Sequence, residues 1–182
     1  MSTTAALMTV EEFQELADPP GFYLELHHGE VVQLTRPKYK HFKIQTRLND
    51  AFNRINGQYG ISACEFAFRP KPEHNLWCAD VAFVSKARER AIDPEDYLAG
   101  APDIVVEVLS PSNTVSEMLD KKTICLENGC REFWVVDPRR KLVEVTRAEG
   151  TSKIYRLGDS ILVLPGNGEI TVNEIFSEGE EL

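Results

Sequence analysis

Uninterrupted apolar length is what this chain has least of. Every long apolar stretch in its 182 residues is broken by charge, so no segment reads as a membrane-spanning helix. The opening Met1-Ser-Thr-Thr-Ala-Ala-Leu-Met-Thr9 carries no cationic leader and no sustained apolar core, which makes the cytoplasm the expected location. Cysteine is scarce. Cys64, Cys78, Cys125 and Cys130 form no Cys-x-x-Cys, and no histidine follows at zinc-finger spacing. They read as buried small hydrophobes or inert thiols. Phosphate loops of the Gly-x-x-x-x-Gly-Lys type, Gly-x-Gly-x-x-Gly, His-Glu-x-x-His and Gly-x-Ser-x-Gly are all missing. No repeat, low-complexity tract or long linker divides the chain, so one domain over residues 1–182 is expected.

The composition is that of a globular protein, 42% hydrophobic and 27% charged. The net charge of −9 argues against a nonspecific nucleic-acid coat. That charge is unevenly spread. From Arg36 to Lys71 eight basic residues face only Asp50 and Glu65, a net of +6 that leaves −15 on the remainder. Such a segment reads as a solvated helix face or as a phosphate-facing surface. The end, Ser177-Glu-Gly-Glu-Glu-Leu182, reads as a frayed acidic tail.

Local pattern gives the elements. Thr9-Val-Glu-Glu12 is a capping box opening a short helix that Asp18-Pro-Pro20 stops. Phe22 to His27 and Val31 to Leu34 read as strands around His28-Gly29. Tyr39 to Asn56 reads as a helix with Phe42, Leu48, Phe52 and Ile55 on one side and Gly57 at its end. Ser62 to Phe68 and Trp77 to Val84 are strand-like, joined by a hairpin-like loop. Lys86 to Gly100 is polar, a loop with a short helical turn. Asp103 to Leu109 is a strong strand, followed by the turn Ser110-Pro-Ser-Asn113 and a helix from Val115 to Asn128 closed by Gly129. Glu132 to Val136, Leu142 to Thr146, Ile154 to Leu157, Ile161 to Leu164 and a segment near Ile170 read as further strands. The class is therefore α+β, or mixed α/β: a sheet with helices against it.

Two carboxylates are out of place in this pattern. The strand around Ile104-Val-Val-Glu-Val108 is apolar on both faces apart from its acids, as in a strand covered on both sides. Glutamate is rarely buried there unless paired or metal-bound, so Glu107 is a candidate ligand. Asp80 interrupts Trp77-Cys-Ala-Asp-Val-Ala-Phe-Val84 in the same way, although aspartate is depleted from strands. Like charges on adjacent strands repel unless a proton or a cation lies between them. A hard divalent cation with oxygen ligands, Mg²⁺ or Mn²⁺, suits such a pair. The following helix supplies two lysines. Lys121 shares a stripe with Glu117 and Cys125. Lys122 lies nearer Val115, Met118, Leu119 and Leu126, and the apolar periodicity points it inward more clearly. His27 and His28 with Glu30 read as an exposed turn rather than a transition-metal site.

The pieces Tyr23-Leu-Glu-Leu-His-His-Gly-Glu-Val31, His41, Ala79-Asp-Val-Ala-Phe-Val84, Ala101-Pro-Asp-Ile-Val-Val-Glu-Val-Leu-Ser-Pro-Ser112, Lys121 and Gly129-Cys-Arg-Glu-Phe-Trp-Val-Val-Asp-Pro138 occur in this order. In that order they resemble the PD-(D/E)XK nuclease superfamily, more narrowly its bacterial restriction-endonuclease-like (Uma-type) branch. The resemblance runs from about Thr9 to Phe176. It implies a restriction-endonuclease-like core: a central mixed sheet flanked by helices, with an extra N-terminal β-hairpin and C-terminal antiparallel strands. It implies Asp80, Glu107 and Lys121 as catalytic residues. Asp80 and Glu107 would be metal ligands with Glu25 as an additional acid, and Mg²⁺ or Mn²⁺ the cofactor. The Val108 carbonyl is a further expected ligand, and His41 is expected to contact substrate or the acid cluster, or to lie on the helix surface. DNA is the implied partner, in a homodimer with no membrane association. The alternative is a nuclease-fold binding module without turnover. Leu109 stands where the superfamily's strand lysine usually lies, and Lys121 on the next helix matches the migrated position in this branch. His28, Ala79 and Cys125 replace an acid, a proline and an aromatic residue usual in the branch.

Overall fold

A computed structural model describes residues 7–111 and 113–177. The start Met1–Ala6, Ser112 of the expected turn and residues 178–182 of the expected acidic tail lie outside the described residues.

The capping box at Thr9 forms as its spacing predicts. The Thr9 hydroxyl accepts from the Glu12 N–H, and Glu12 accepts in return from the Thr9 N–H at 2.9 Å. It opens α1 (Val10–Gln14). The strands β1 (Phe22–His27) and β2 (Glu30–Thr35) pair antiparallel as a separate hairpin. Its turn uses left-handed backbone at His28 (φ 51°) and Gly29 (φ 78°), the second of which suits glycine.

Helix α2 (Tyr39–Asn56) has the predicted bounds but a different buried face. Ile44, Gln45, Leu48, Ala51 and Phe52 face inward, whereas Phe42 is 52% exposed. Phe42 lies off the 3.6-residue stripe that Leu48 and Phe52 define, so the expected apolar side begins at Ile44. Gly57 ends the helix with ordinary right-handed backbone (φ −57°). Its requirement is space, since a Cβ there would lie 2.5 Å from the Asn53 carbonyl oxygen.

The long hairpin β3 (Gly60–Arg69) and β4 (Trp77–Ser85) follows. Then come α3 (Lys86–Glu89), β5 (Leu98–Ala99) and β6 (Ile104–Val108). Helix α4 (Val115–Glu127) opens on a second capping box, between Thr114 and Glu117. After Gly129, in left-handed backbone at φ 95°, comes β7 (Glu132–Asp137). The chain ends in β8 (Leu142–Arg147), β9 (Ser152–Arg156), β10 (Ser160–Val163), β11 (Gly168–Thr171) and α5 (Val172–Phe176). The sequence reading contains no counterpart of α5. Five residues are too few to show a helical period.

One seven-stranded sheet runs in the order β5-β3-β4-β6-β7-β8-β9. It is mixed. β6 and β7 are parallel neighbours joined through α4, while β3, β4 and β6 are successively antiparallel. Every residue of β6 is buried, as expected for a central strand covered on both faces. On one face α2 packs Ile44, Leu48 and Phe52 against Val81, Phe83, Ile104 and Val106, with the β10–β11 hairpin and α5 beside it. On the other, α4 sets Ile124 and Cys125 against Ala82, Val105 and Phe133. The β1–β2 hairpin docks at the start of β4, where Leu26 and Leu76 exchange backbone hydrogen bonds of 3.0 and 2.9 Å. That contact sets the position of Glu25.

Candidate active site

The register of β4 against β6 pairs Val81 with Val106, and its continuation by one residue sets Asp80 opposite Glu107. The strand pairing is tied by the aspartate itself, since Asp80 Oδ2 accepts from the Val108 N–H at 2.6 Å. Opposite Asp80 on its other side, the β3 ladder passes over Glu65, which has a left-handed φ of 52°. The pleat of β4 is interrupted at the same place. Val81 and Phe83 pack in the core under α2, while Ala79 packs in the cluster under α4.

The interruption brings Asp80 within reach of α2. Its Oδ1 lies 2.9 Å from His41 Nε2 and accepts from Gln45 Nε2 at 3.0 Å. The Gln45 amide also donates to Glu65 Oε1 at 2.5 Å, so a single buried side chain spans two carboxylates. His41 thus joins the acid cluster, one of its expected places. Burial opposes its charged form, but the Asp80 hydrogen bond and the Asp80 and Glu65 charges outweigh this and raise its pKa.

Glu107 meets α4. Its Oε1 lies 2.9 Å from Lys121 Nζ, with the two side chains 10% and 8% exposed. The Lys121 ammonium donates its hydrogen bond to the Cys78 carbonyl at 2.8 Å. Glu107 Oε1 is held by the Lys121 charge and meets no second donor among the described residues. Burial, with repulsion from Asp80 and Glu25, pushes Glu107 up against the pull of Lys121. Burial works against the Lys121 charge, yet Glu107 and Glu25 hold its pKa above the usual lysine value.

The inward orientation expected of Lys122 is overturned. Lys122 is half-buried and pairs with Glu144 at 3.3 Å, while Val115 and Leu119 of its stripe are 77% and 52% exposed. The face of α4 that meets the sheet is Lys121, Ile124 and Cys125. The sheet takes in a lysine there because Glu107 and a backbone carbonyl satisfy it.

Glu25 is 3% exposed and lies 2.7 Å from His27 Nε2. Its charge reaches Glu107 and Lys121, but it makes no hydrogen bond to Asp80 or Glu107. His28 instead reaches Asp120 at 2.8 Å. Among the described residues no three His, Cys, Asp or Glu side chains stand close enough together to enclose a metal ion. The donor chemistry nonetheless fits a hard cation. Four carboxylates (Glu25, Glu65, Asp80 and Glu107) influence one another here, with Lys121 as the one lysine among them, and a buried Glu107 oxygen lacks a second donor.

Sequence reasoning missed Gln45 and Glu65. Gln45 had a signal, being a polar residue on the apolar stripe of α2. Glu65 had one too, as an acid in a strand adjoining that of Asp80. The basic segment is less available to phosphate than its charge implied. Arg36 pairs with Asp18, Arg54 with Glu174, and Arg69 with Glu11 and Asp96.

No curated protein matches this chain. A crystal structure from Anabaena variabilis ATCC 29413, described as "a putative nuclease belonging to DUF820", aligns with a TM-score of 0.78 at 21% sequence identity, over 93% of this chain and 98% of that one. At that identity the match shows a shared fold, in agreement with the restriction-endonuclease-like architecture expected from the motifs. The Uma2 family model, described as "Putative restriction endonuclease", matches residues 10–179, and the chain belongs to that family.

Proposed function

We propose that this protein is a divalent-metal-dependent endonuclease that hydrolyses phosphodiester bonds of DNA, with Asp80, Glu107 and Lys121 as its catalytic residues. The observation that carries the reading is a buried lysine held against Glu107 on the strand beside Asp80. Neither charge is needed for an apolar sheet, and a perturbed carboxylate with a specific charge partner marks a functional site. Asp80 and Glu107 would hold Mg²⁺ or Mn²⁺, with Glu25 as the outlying acid. When bound, such a cation polarises the phosphoryl oxygen and lowers the pKa of a coordinated water.

The chain's own groups have separable tasks. Gln45, His41 and the Val108 N–H fix both oxygens of Asp80, so its orientation costs nothing when substrate arrives. Lys121 presents a permanent positive charge in a water-poor site, where it stabilises negative charge developing on the phosphate or orients the attacking water. Homodimerisation is part of this reading through the family resemblance, and sedimentation velocity tests it.

Plasmid nicking in Mg²⁺ or Mn²⁺ is the direct experiment. The wild-type protein converts supercoiled plasmid to nicked or linear product. Folded Asp80→Ala and Lys121→Ala variants lose about a hundredfold or more of that rate. Cleavage that survives Asp80→Ala would falsify the assignment. A second reading, a nuclease-fold binding module, has one observation in its favour: both Asp80 oxygens already accept hydrogen bonds. Absence of cleavage together with absence of metal binding selects it.

A further inference from the structure

A cavity of about 480 Å³ opens beside the acid cluster, and Glu25 and Glu65 form part of its wall. That volume lies within the range of about 300–1,000 Å³ usual for small-molecule sites. Much of the remaining wall is aromatic. Tyr23 and Tyr97, half-buried, line it together with the buried Phe13 and Trp77. The Arg36 guanidinium lies over the Tyr23 ring, 5.4 Å from its centroid. Its charge is already paired with Asp18 at 2.8 Å.

The walls select by charge and by shape. Asp18, Glu25 and Glu65 outnumber the single guanidinium, so the cavity repels a phosphate. A neutral, flat group meets no such penalty. Aromatic rings and an arginine plane favour stacking, and carboxylate oxygens accept from amino groups. A nucleobase satisfies both conditions. The cavity also shares Glu25 and Glu65 with the cluster around Asp80, so its occupant belongs to the polymer bound there. A base within a duplex is stacked and paired, and it reaches such a pocket only when extruded or already unpaired.

We infer that this cavity receives one unpaired nucleobase next to the scissile phosphate, so that the preferred substrate carries an unstacked nucleotide, as negatively supercoiled plasmid transiently does, over relaxed uninterrupted duplex. The inference rests on the nuclease reading above and deepens it. Tyr23 is suited to the role. Its phenolic hydroxyl can donate to a ring nitrogen or carbonyl of the base.

The test uses two duplexes that differ only in whether a 2-aminopurine is bulged or paired. Binding to wild-type protein in Mg²⁺ is read by stopped-flow fluorescence before turnover. The bulged duplex binds about tenfold tighter, with its 2-aminopurine fluorescence altered on stacking. Tyr23→Leu and Arg36→Ala each reduce that preference. Tyr97→Leu, which keeps the apolar packing, repeats the measurement should Tyr23→Leu fail to fold. Equal affinity for both duplexes, or a preference that survives all three substitutions, overturns the pocket. Nicking with no base preference removes this inference alone. A base preference without nicking leaves the pocket standing and removes the nuclease reading.

Discussion

Lys121 Nζ stands 2.9 Å from Glu107 Oε1 in a contact almost closed to solvent, between the first helix beyond β6 and β6 itself. The pair is a weak source of stability and a strong constraint. Two desolvated charges offset most of their own attraction, yet removing one leaves the other stranded.

That asymmetry separates stability from activity. Lys121→Ala is expected to lower unfolding free energy by about 3–5 kcal/mol, because Glu107 stays buried without its partner. The double variant Glu107→Gln with Lys121→Met removes both charges at similar volume and recovers most of that loss. Neither variant nicks plasmid. Urea denaturation and the nicking assay, run on the same preparations, check both halves. A double variant no more stable than Lys121→Ala contradicts the account.

His41 gives the protein a pH-dependent component of stability. Its folded pKa is raised above the ordinary value of 6.5, chiefly through Asp80 and against its own burial. A raised histidine stabilises the fold fully below the unfolded pKa, and that contribution is lost as pH rises through the folded value. The difference in melting temperature between wild type and His41→Gln should therefore be largest at about pH 6 and shrink on the alkaline side. A difference that grows with pH refutes the His41–Asp80 pairing.

Gln45 acts on the site through Asp80. Its amide donates to Asp80 and to Glu65, and Gln45→Leu strips a donor from both. The expected cost is about 1–3 kcal/mol in chemical denaturation. As a positioning residue it should also weaken Mn²⁺ binding, measured by calorimetry, by more than its stability loss explains. Gln45→Asn, with a shorter reach, should restore little of either. Unchanged Mn²⁺ affinity in a folded Gln45→Leu protein removes the positioning role.

The sequence alone determined most of the elements, the short β5 and α5 excepted. The capping box at Thr9, the bounds of α2, the continuous apolar run of β6 and the glycine after α4 are local features, read over a few residues, and they form where their spacing places them. It also marked Asp80 and Glu107, because a carboxylate inside an apolar strand is anomalous wherever the strand goes. The tertiary structure decided which of Lys121 and Lys122 faces the sheet. Helical periodicity favoured Lys122, but the helix presents to the sheet the side on which Glu107 can neutralise a lysine. The tertiary structure also assembled His41, Gln45 and Glu65 around Asp80, across separations of 39 and 20 residues for the His41–Asp80 and Gln45–Glu65 contacts. No local pattern carries such contacts. They exist because α2 lies against a hairpin whose pleat breaks at one aspartate, and that packing is a property of the folded chain.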